Sequence, residues 1–169
     1  PNVVRRFTGK EFFFTPLLDK LDSPTSLTKA ISHMTGTPIL SAGGNIGITC
    51  VTLAAYLGYK NIILTGMDQG YSMDTPIEKT AYYPIFKEAD PTMTTDKFRE
   101  VFLEDGYNPD FGVRYYTDKV FGYHRKHLVE ISNYLAEDGV TIINATEGGA
   151  VHGGAIVGMP LSEALDRYG

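Results

Sequence analysis

Apolar residues gather in short unbroken runs: Phe12-Phe13-Phe14, Pro38-Ile39-Leu40, Ile62-Ile63-Leu64 and Val140-Thr141-Ile142-Ile143. Runs of this length, bounded by turn residues, predict buried strands of the kind found in a parallel sheet covered on both faces. They place strands at residues 11–14, 38–41, 61–65 and 140–143. Residues 46–57 are apolar on nearly all sides through Ile46, Ile48, Val51, Leu53, Ala54, Ala55 and Leu57. That pattern predicts a helix covered on both faces and stopped by Gly58. Strand, helix and strand in so few residues form a βαβ unit. Phe121, His124, Leu128, Ile131 and Leu135 recur at three- and four-residue intervals, which predicts a helix over residues 117–138, capped by Thr117 or Asp118 and stopped by Gly139. Residues 17–33 read as irregular around the turn Asp22-Ser23-Pro24-Thr25. Residues 66–116 break the rhythm with prolines at 76, 84, 91 and 109, many tyrosines and one short helix near 95–104; so long an interruption suits a lid or binding insertion. A glycine-rich loop to Gly158 and a short helix from Pro160 close the chain. The alternation defines an α/β protein.

Composition narrows the function classes. The 169 residues, 43% hydrophobic and 21% charged, suit one globular domain with a substantial core. A net charge of −5, with no basic run longer than Arg5-Arg6 or Arg125-Lys126, argues against a nucleic-acid partner. The longest apolar stretches fall far short of the roughly 20 residues of a membrane span, so no membrane partner is expected. Cys50 is the single cysteine, which excludes an internal disulfide; its place in the apolar helix predicts a small buried side chain, and the cytoplasm is the compartment that fits. The start at Pro1, with Val3-Val4 and Phe12-Phe13-Phe14 following at once, reads as the interior of a longer protein. Oligomeric state is not written in these residues.

Ligands of open α/β sheets collect beyond the carboxyl ends of the strands, which directs attention to three loops. Ala42-Gly43-Gly44-Asn45-Ile46-Gly47 follows a strand and opens a helix; Gly43, Gly44, Asn45 and Gly47 form a plausible anion cradle, or serve only to pack the turn under its helix. Gly66-Met67-Asp68-Gln69-Gly70-Tyr71 places Asp68 two residues past a strand, where it holds Mg²⁺ and phosphates or caps its turn. Asn144-Ala145-Thr146-Glu147-Gly148-Gly149 puts Glu147 in the same geometry, as a ligand contact or as an acceptor that braces its loop. Convergence of these three loops is the central structural expectation. His152, in the glycine-rich loop, is the histidine best placed for a general base or a phosphate contact, whereas His124 sits mid-stripe as a core residue and His127, Tyr123 and Arg125 lie nearer its edges. Zinc-ligand spacing, a nucleophile elbow, a P-loop and the dinucleotide fingerprint do not occur.

These motifs, with Ala54-Ala55-Tyr56-Leu57-Gly58, Ile62-Ile63-Leu64-Thr65-Gly66-Met67-Asp68 and Tyr116-Thr117-Asp118, resemble the family of the archaeal 6-hydroxymethylpterin diphosphokinases (MptE-like) and the bacterial flagellar motility accessory factors. The resemblance spans about residues 12–161. It implies a single Rossmann-like domain over residues 1–169, with a mostly parallel sheet covered by helices on both faces and a long Tyr/Pro-rich insertion. It also implies a nucleotide-dependent transferase acting on small molecules. Diphosphate transfer from ATP, with Mg²⁺, to a hydroxylated acceptor stands ahead of sugar transfer from a CMP-activated donor; a non-catalytic nucleotide-binding scaffold is the third possibility. Under it Asp68 and His152 would be catalytic, Asp68 the metal ligand, Gly43, Gly44, Asn45, Gly47, Glu147, Gly148 and Gly149 the nucleotide contacts, and Gln69, Tyr71, Thr117 and Asp118 the substrate contacts. The family's upstream Gly-Pro-Ser motif is absent from these residues, which again reads as a segment lacking part of its site.

Overall fold

Asn45 begins the helix that the apolar run foretold. Its backbone is extended and its Oδ1 accepts the Ile48 N–H at 2.9 Å, the usual side-chain cap for an otherwise orphaned donor. The computed structural model describes residues 8–169. Contacts divide the chain into two compact units, one ending at Ala42 and the other spanning Gly43–Gly169.

In the first unit, β1 (Thr15–Pro16) and β2 (Ile39–Leu40) pair in parallel, with Thr15 N–H donating to Pro38 O and Leu17 N–H to Leu40 O. Between them runs α1 (Leu27–Thr35), capped by Ser26 and ended by Gly36 in the left-handed conformation. This helix corrects the irregular reading of residues 17–33. Asp19, seven residues before the cap, accepts from Ser26 Oγ and from the Leu27 and Thr28 N–H groups. Hydrogen bonding, from Thr28 foremost, holds the Asp19 carboxyl down at about 2. The expected strand at residues 11–14 is also corrected: these residues are irregular, Phe12 and Phe13 are exposed, and pairing starts at Thr15.

The second unit opens with α2 (Ile46–Tyr56) and β3 (Asn61–Leu64). Its parallel sheet has the order β3, β7 (Thr141–Asn144), β8 (Ile156–Gly158), in register Leu64 opposite Asn144 and Asn144 opposite Gly158. β2 hydrogen-bonds to β1 and β3 to β7, in separate sheets, which corrects the expected βαβ unit over residues 38–65: each strand found a different parallel neighbour. The unbroken apolar runs make sense here because alternate residues point to opposite faces and both faces are covered. Ile62, Leu64, Ile142 and Ile156 pack with Ile48 and Val51 of α2 and with Leu128 and Ile131 of α5 (Lys119–Glu137). Ile63 and Ile143 pack on the other side with Met159 and with Ala164 and Tyr168 of α6 (Leu161–Tyr168). α2 is buried on one side only, which corrects the two-sided expectation. Ile46 is 79% exposed, and Tyr56, Leu57 and Cys50 are exposed as well, so the cysteine is not a core side chain.

Residues 66–116 fold rather than merely interrupt. They supply β4 (Tyr71–Ser72), a 3₁₀ turn (Ile77–Lys79), α3 (Tyr83–Ala89), α4 (Thr95–Phe102), β5 (Leu103–Asn108) and, running on to residue 118, β6 (Val113–Asp118). The three strands make an antiparallel sheet in the order β4, β6, β5. Tyr83, Phe86, Phe98 and Phe102 of α3 and α4 form an aromatic cluster of edge-on, tilted and stacked rings around buried Phe98. The second unit is thus mixed α/β, with one parallel and one antiparallel sheet. Among the described residues no helix is long and apolar enough to cross a membrane.

Candidate functional site

At the carboxyl ends of β3 and β7 the two following loops are locked together. Met67 N–H donates to Thr146 Oγ1 at 3.3 Å, and Ala150 N–H donates to the Asp68 carbonyl at 2.6 Å. Gly149 makes this approach feasible: its φ is +67°, and a Cβ there would lie 2.5 Å from Asp68 O. Asn144 and Asn108, both fully buried, hold the same loop from beneath. Asn144 Nδ2 donates to Val151 O at 2.7 Å, and Asn108 Nδ2 donates to Gly149 O at 3.1 Å.

Two adjoining hollows result. One, of about 510 Å³, is lined by Asn45, Ile46 and Gly47 at the start of α2, by residues 65–70 and by Phe121. The other, of about 310 Å³, is lined by Asp68, Gly70, Ser72, residues 113–115 and residues 146–149. Asp68 and Gly70 belong to both, so the turns around Asn45, Asp68 and Glu147 do gather at one edge of the parallel sheet. Asp68 is exposed there. Gln69 beside it has φ +48°, uncommon for a residue with a side chain, and its buried Oε1 has no hydrogen-bond partner. Asn45 Nδ2 is likewise buried without a partner. Strain and unsatisfied polar atoms concentrated on one rim are the kind of feature that clusters at ligand sites.

The other sequence-derived candidates have different positions. Glu147, with φ +62°, turns its carboxylate to the Leu161 N–H at 2.9 Å and so braces the start of α6, the second of its two expected roles. Gly148 and Gly149 line the smaller hollow. Gly43 and Gly44, with φ +56° and +80°, lie against α5: a Cβ on Gly43 would meet Ile48 and His127, and one on Gly44 would come within 3.2 Å of His124 Nε2. They serve tight packing, and the lining of the hollow starts at Asn45. His124 is accordingly the residue on which the Gly44 turn rests, and burial lowers its pKa. The Tyr71 hydroxyl donates to Asp118 Oδ2 at 3.1 Å and accepts from the Ala81 N–H, and its pKa is raised, chiefly by burial. Asp118 also caps α5 through Val120 and Phe121, and Thr117 Oγ1 donates to the Gln69 carbonyl at 2.8 Å. Tyr71, Thr117 and Asp118 thus shape the Gln69 turn from behind. His152 is not at this rim; it lines a separate cleft that shares only Tyr115 with the smaller hollow.

Residues 108 and 114 are site residues that the sequence reading does not single out, and Thr146 is quoted there only as part of its loop. Asn108 and Thr146 carry no local signal beyond a polar residue near a turn, and Arg114 is a cation on a strand in an aromatic run. Only pairing of β6 with β4 and β5 brings Arg114 to the Glu147 loop. Comparisons with protein-family models, with curated proteins and with solved structures find no match.

The donor set was tested against the Mg²⁺ that the resemblance implies. Among the described residues no group of three His, Cys, Asp or Glu side chains could cage an ion. Asp68 and Glu147 nevertheless line one hollow, and magnesium commonly takes one or two carboxylates and completes its shell with phosphate oxygens and water. The residues fit an ion that arrives on a nucleotide.

Proposed function

We propose that this chain is a nucleotide-dependent transferase that moves a diphosphate from ATP to a small hydroxylated acceptor, with AMP as the leaving group, on a Rossmann-like framework. The observation that supports it is the meeting of the Asn45, Asp68 and Glu147 turns around two connected hollows beyond the parallel strands. Ile46 and Gly47, at the start of α2, offer amides that lack carbonyl partners within their own helix, and these suit phosphate oxygens. Asp68, with the remaining oxygen of Glu147, would hold Mg²⁺, which when bound offsets phosphate charge. Exposed Arg114 lines the same hollow and brings a positive charge to it. Phe121 and the Gln69 turn give the larger hollow an apolar wall and a polar rim against which a planar acceptor can lie. Acceleration would then come from positioning and charge neutralisation of an in-line attack by the acceptor hydroxyl.

The test is turnover of ATP with 6-hydroxymethylpterin, together with calorimetric titration by ATP and by CMP. Asp68→Asn should abolish turnover and leave the thermal melt unchanged, because Asp68 is exposed and its side chain supports no described contact. Full turnover by that variant would refute the assignment. CMP binding without ATP binding would replace it with sugar transfer, and no binding of either would replace it with a scaffold.

A further inference from the structure

The cleft that holds His152 has its own chemistry. It encloses about 690 Å³ between β5, β6, α5 and the 152–154 loop, within the size range of sites for small organic ligands. Lys119, Arg125 and Lys126 face it from α5, and Glu104 and Asp105 face it from β5. Asp105 is already engaged by Arg99 at 2.8 Å, so its charge is partly spent outside the cleft. The Arg125 guanidinium is fixed in place: Nη2 lies 3.2 Å from His152 O, which accepts from it, and 3.2 Å and 3.4 Å from the two ring nitrogens. The ring in turn meets the Tyr115 hydroxyl at 3.3 Å. Arg125 Nε is buried with no hydrogen-bond partner, an unusual state for a charged donor. A guanidinium donates only, so its nearness favours the neutral imidazole, and burial acts in the same direction. Exposed Tyr123 stands at the mouth as an aromatic wall.

The geometry points to a second ligand site in this cleft, for a small organic oxyanion, phosphoryl or carboxylate, gripped by Arg125 with Lys126 and Lys119 and hydrogen-bonded by the Tyr115–His152 pair. It shares no residue with the hollow of Asn45 and only Tyr115 with that of Glu147, so it stands or falls independently of the transfer reaction proposed above. A forked guanidinium suits the paired oxygens of either anion, and neutral imidazole and phenol suit the hydroxyls of the molecule that carries it.

The experiment is a titration of the full chain with sodium pyrophosphate and, separately, sodium malonate at constant ionic strength, following the Arg125 Nε–H and His152 ring resonances by NMR. Saturable shifts of both are expected, and the stronger probe identifies a phosphoryl or a carboxylate ligand. Arg125→Gln should weaken binding about 10- to 100-fold, the loss of a charge-assisted hydrogen bond, while Asp68→Asn binds as the parent does. Should Arg125→Gln fail to fold, the surface pair Lys119→Gln and Lys126→Gln decides: a loss of at least about threefold supports the site. Unsaturable shifts, undiminished binding by a folded Arg125→Gln chain or by the lysine pair, or shifts confined to residues 45–47 and 66–70 would overturn it.

Discussion

Replacing Gly149 by alanine tests the junction on which the candidate site is built. The new Cβ would lie 2.5 Å from the Asp68 carbonyl oxygen and 2.6 Å from Asp68 Cα, both backbone atoms that no rotamer change can move. Three costs follow. Holding alanine at φ +67° costs about 1–2 kcal/mol. Relieving the overlap costs about 1–3 kcal/mol, as other overpacked sites do. Separating the strands' loops weakens the 2.6 Å hydrogen bond from Ala150 to Asp68, about 1 kcal/mol. A total loss of about 3–6 kcal/mol is expected, a large part of an ordinary domain's stability. Two neighbours calibrate the figure. Gly66 has φ +66° with open space around it, so Gly66→Ala should cost only the backbone term of about 1–2 kcal/mol. A Cβ on Gly148 would meet nothing and its φ is unremarkable, so Gly148→Ala should be silent to within about 0.5 kcal/mol. Urea unfolding of the three variants at equal m-value is the assay. If Gly149→Ala and Gly66→Ala fall by the same amount, the loops are not pressed together and the reasoning fails.

Other perturbations probe the supports of the same edge. Asn144→Ala removes the donor to Val151 O and the acceptor of the Thr146 N–H inside a fully buried spot, and should lower stability by about 2–4 kcal/mol in urea; a loss below about 1 kcal/mol would speak against that network. Glu147→Ala frees the first amide of α6 and should cost about 1 kcal/mol, while Glu147→Gln keeps the hydrogen bond and should cost about half as much; equal losses would mean that charge at the helix start is what counts. His124 and His152 both have pKa values below the ordinary 6.5 in the folded chain: burial lowers His124 against the opposing charge of Asp118, and burial followed by the Arg125 charge lowers His152. The unfolded chain therefore takes up protons first as pH falls below about 6.5, so this contribution is complete above that pH and is lost as pH falls below it. The urea midpoint should drop between pH 7.5 and 5.5, and His152→Gln should flatten part of that slope; a flat profile in the parent would contradict the assignment.

Much of the second unit was legible because its signals are local. The unbroken runs at residues 62–64 and 140–143 read as strands hidden on both faces, and Asp118, Gly58 and Gly139 mark helix ends by chemistry that operates within four residues. Failures arose where distant groups decide. α1 depends on Asp19 reaching across a turn to cap it, and the turn Asp22-Ser23-Pro24-Thr25 before it masked the pattern. The three-residue β8 exists because β7 offers it an edge. Residues 66–116 read as a lid or binding insertion with one short helix because neither Leu103–Asn108 nor Val113–Asp118 alternates apolar and polar residues, and no periodicity announces the phenylalanine cluster around Phe98. The site followed the same division. The loops after β3 and β7 lie at strand ends of one parallel sheet as the rule for open α/β sheets expects, and the Asn45 turn joins them although β2 pairs with β1 in a separate sheet. The roles inside the loops were decided by packing: Gly43 and Gly44 against α5, Glu147 against α6, and His152 in a cleft of its own beside Arg125.

Amide chemical-shift mapping of the full chain during titration with magnesium ATP, and separately with CMP, addresses the central claim most directly. Coincident, saturable shifts at residues 45–47, 66–70 and 146–149 are expected with one of the two nucleotides, since three turns distant in sequence share one rim. Shifts at only one of these turns, or none at concentrations that saturate nucleotide enzymes, would contradict it.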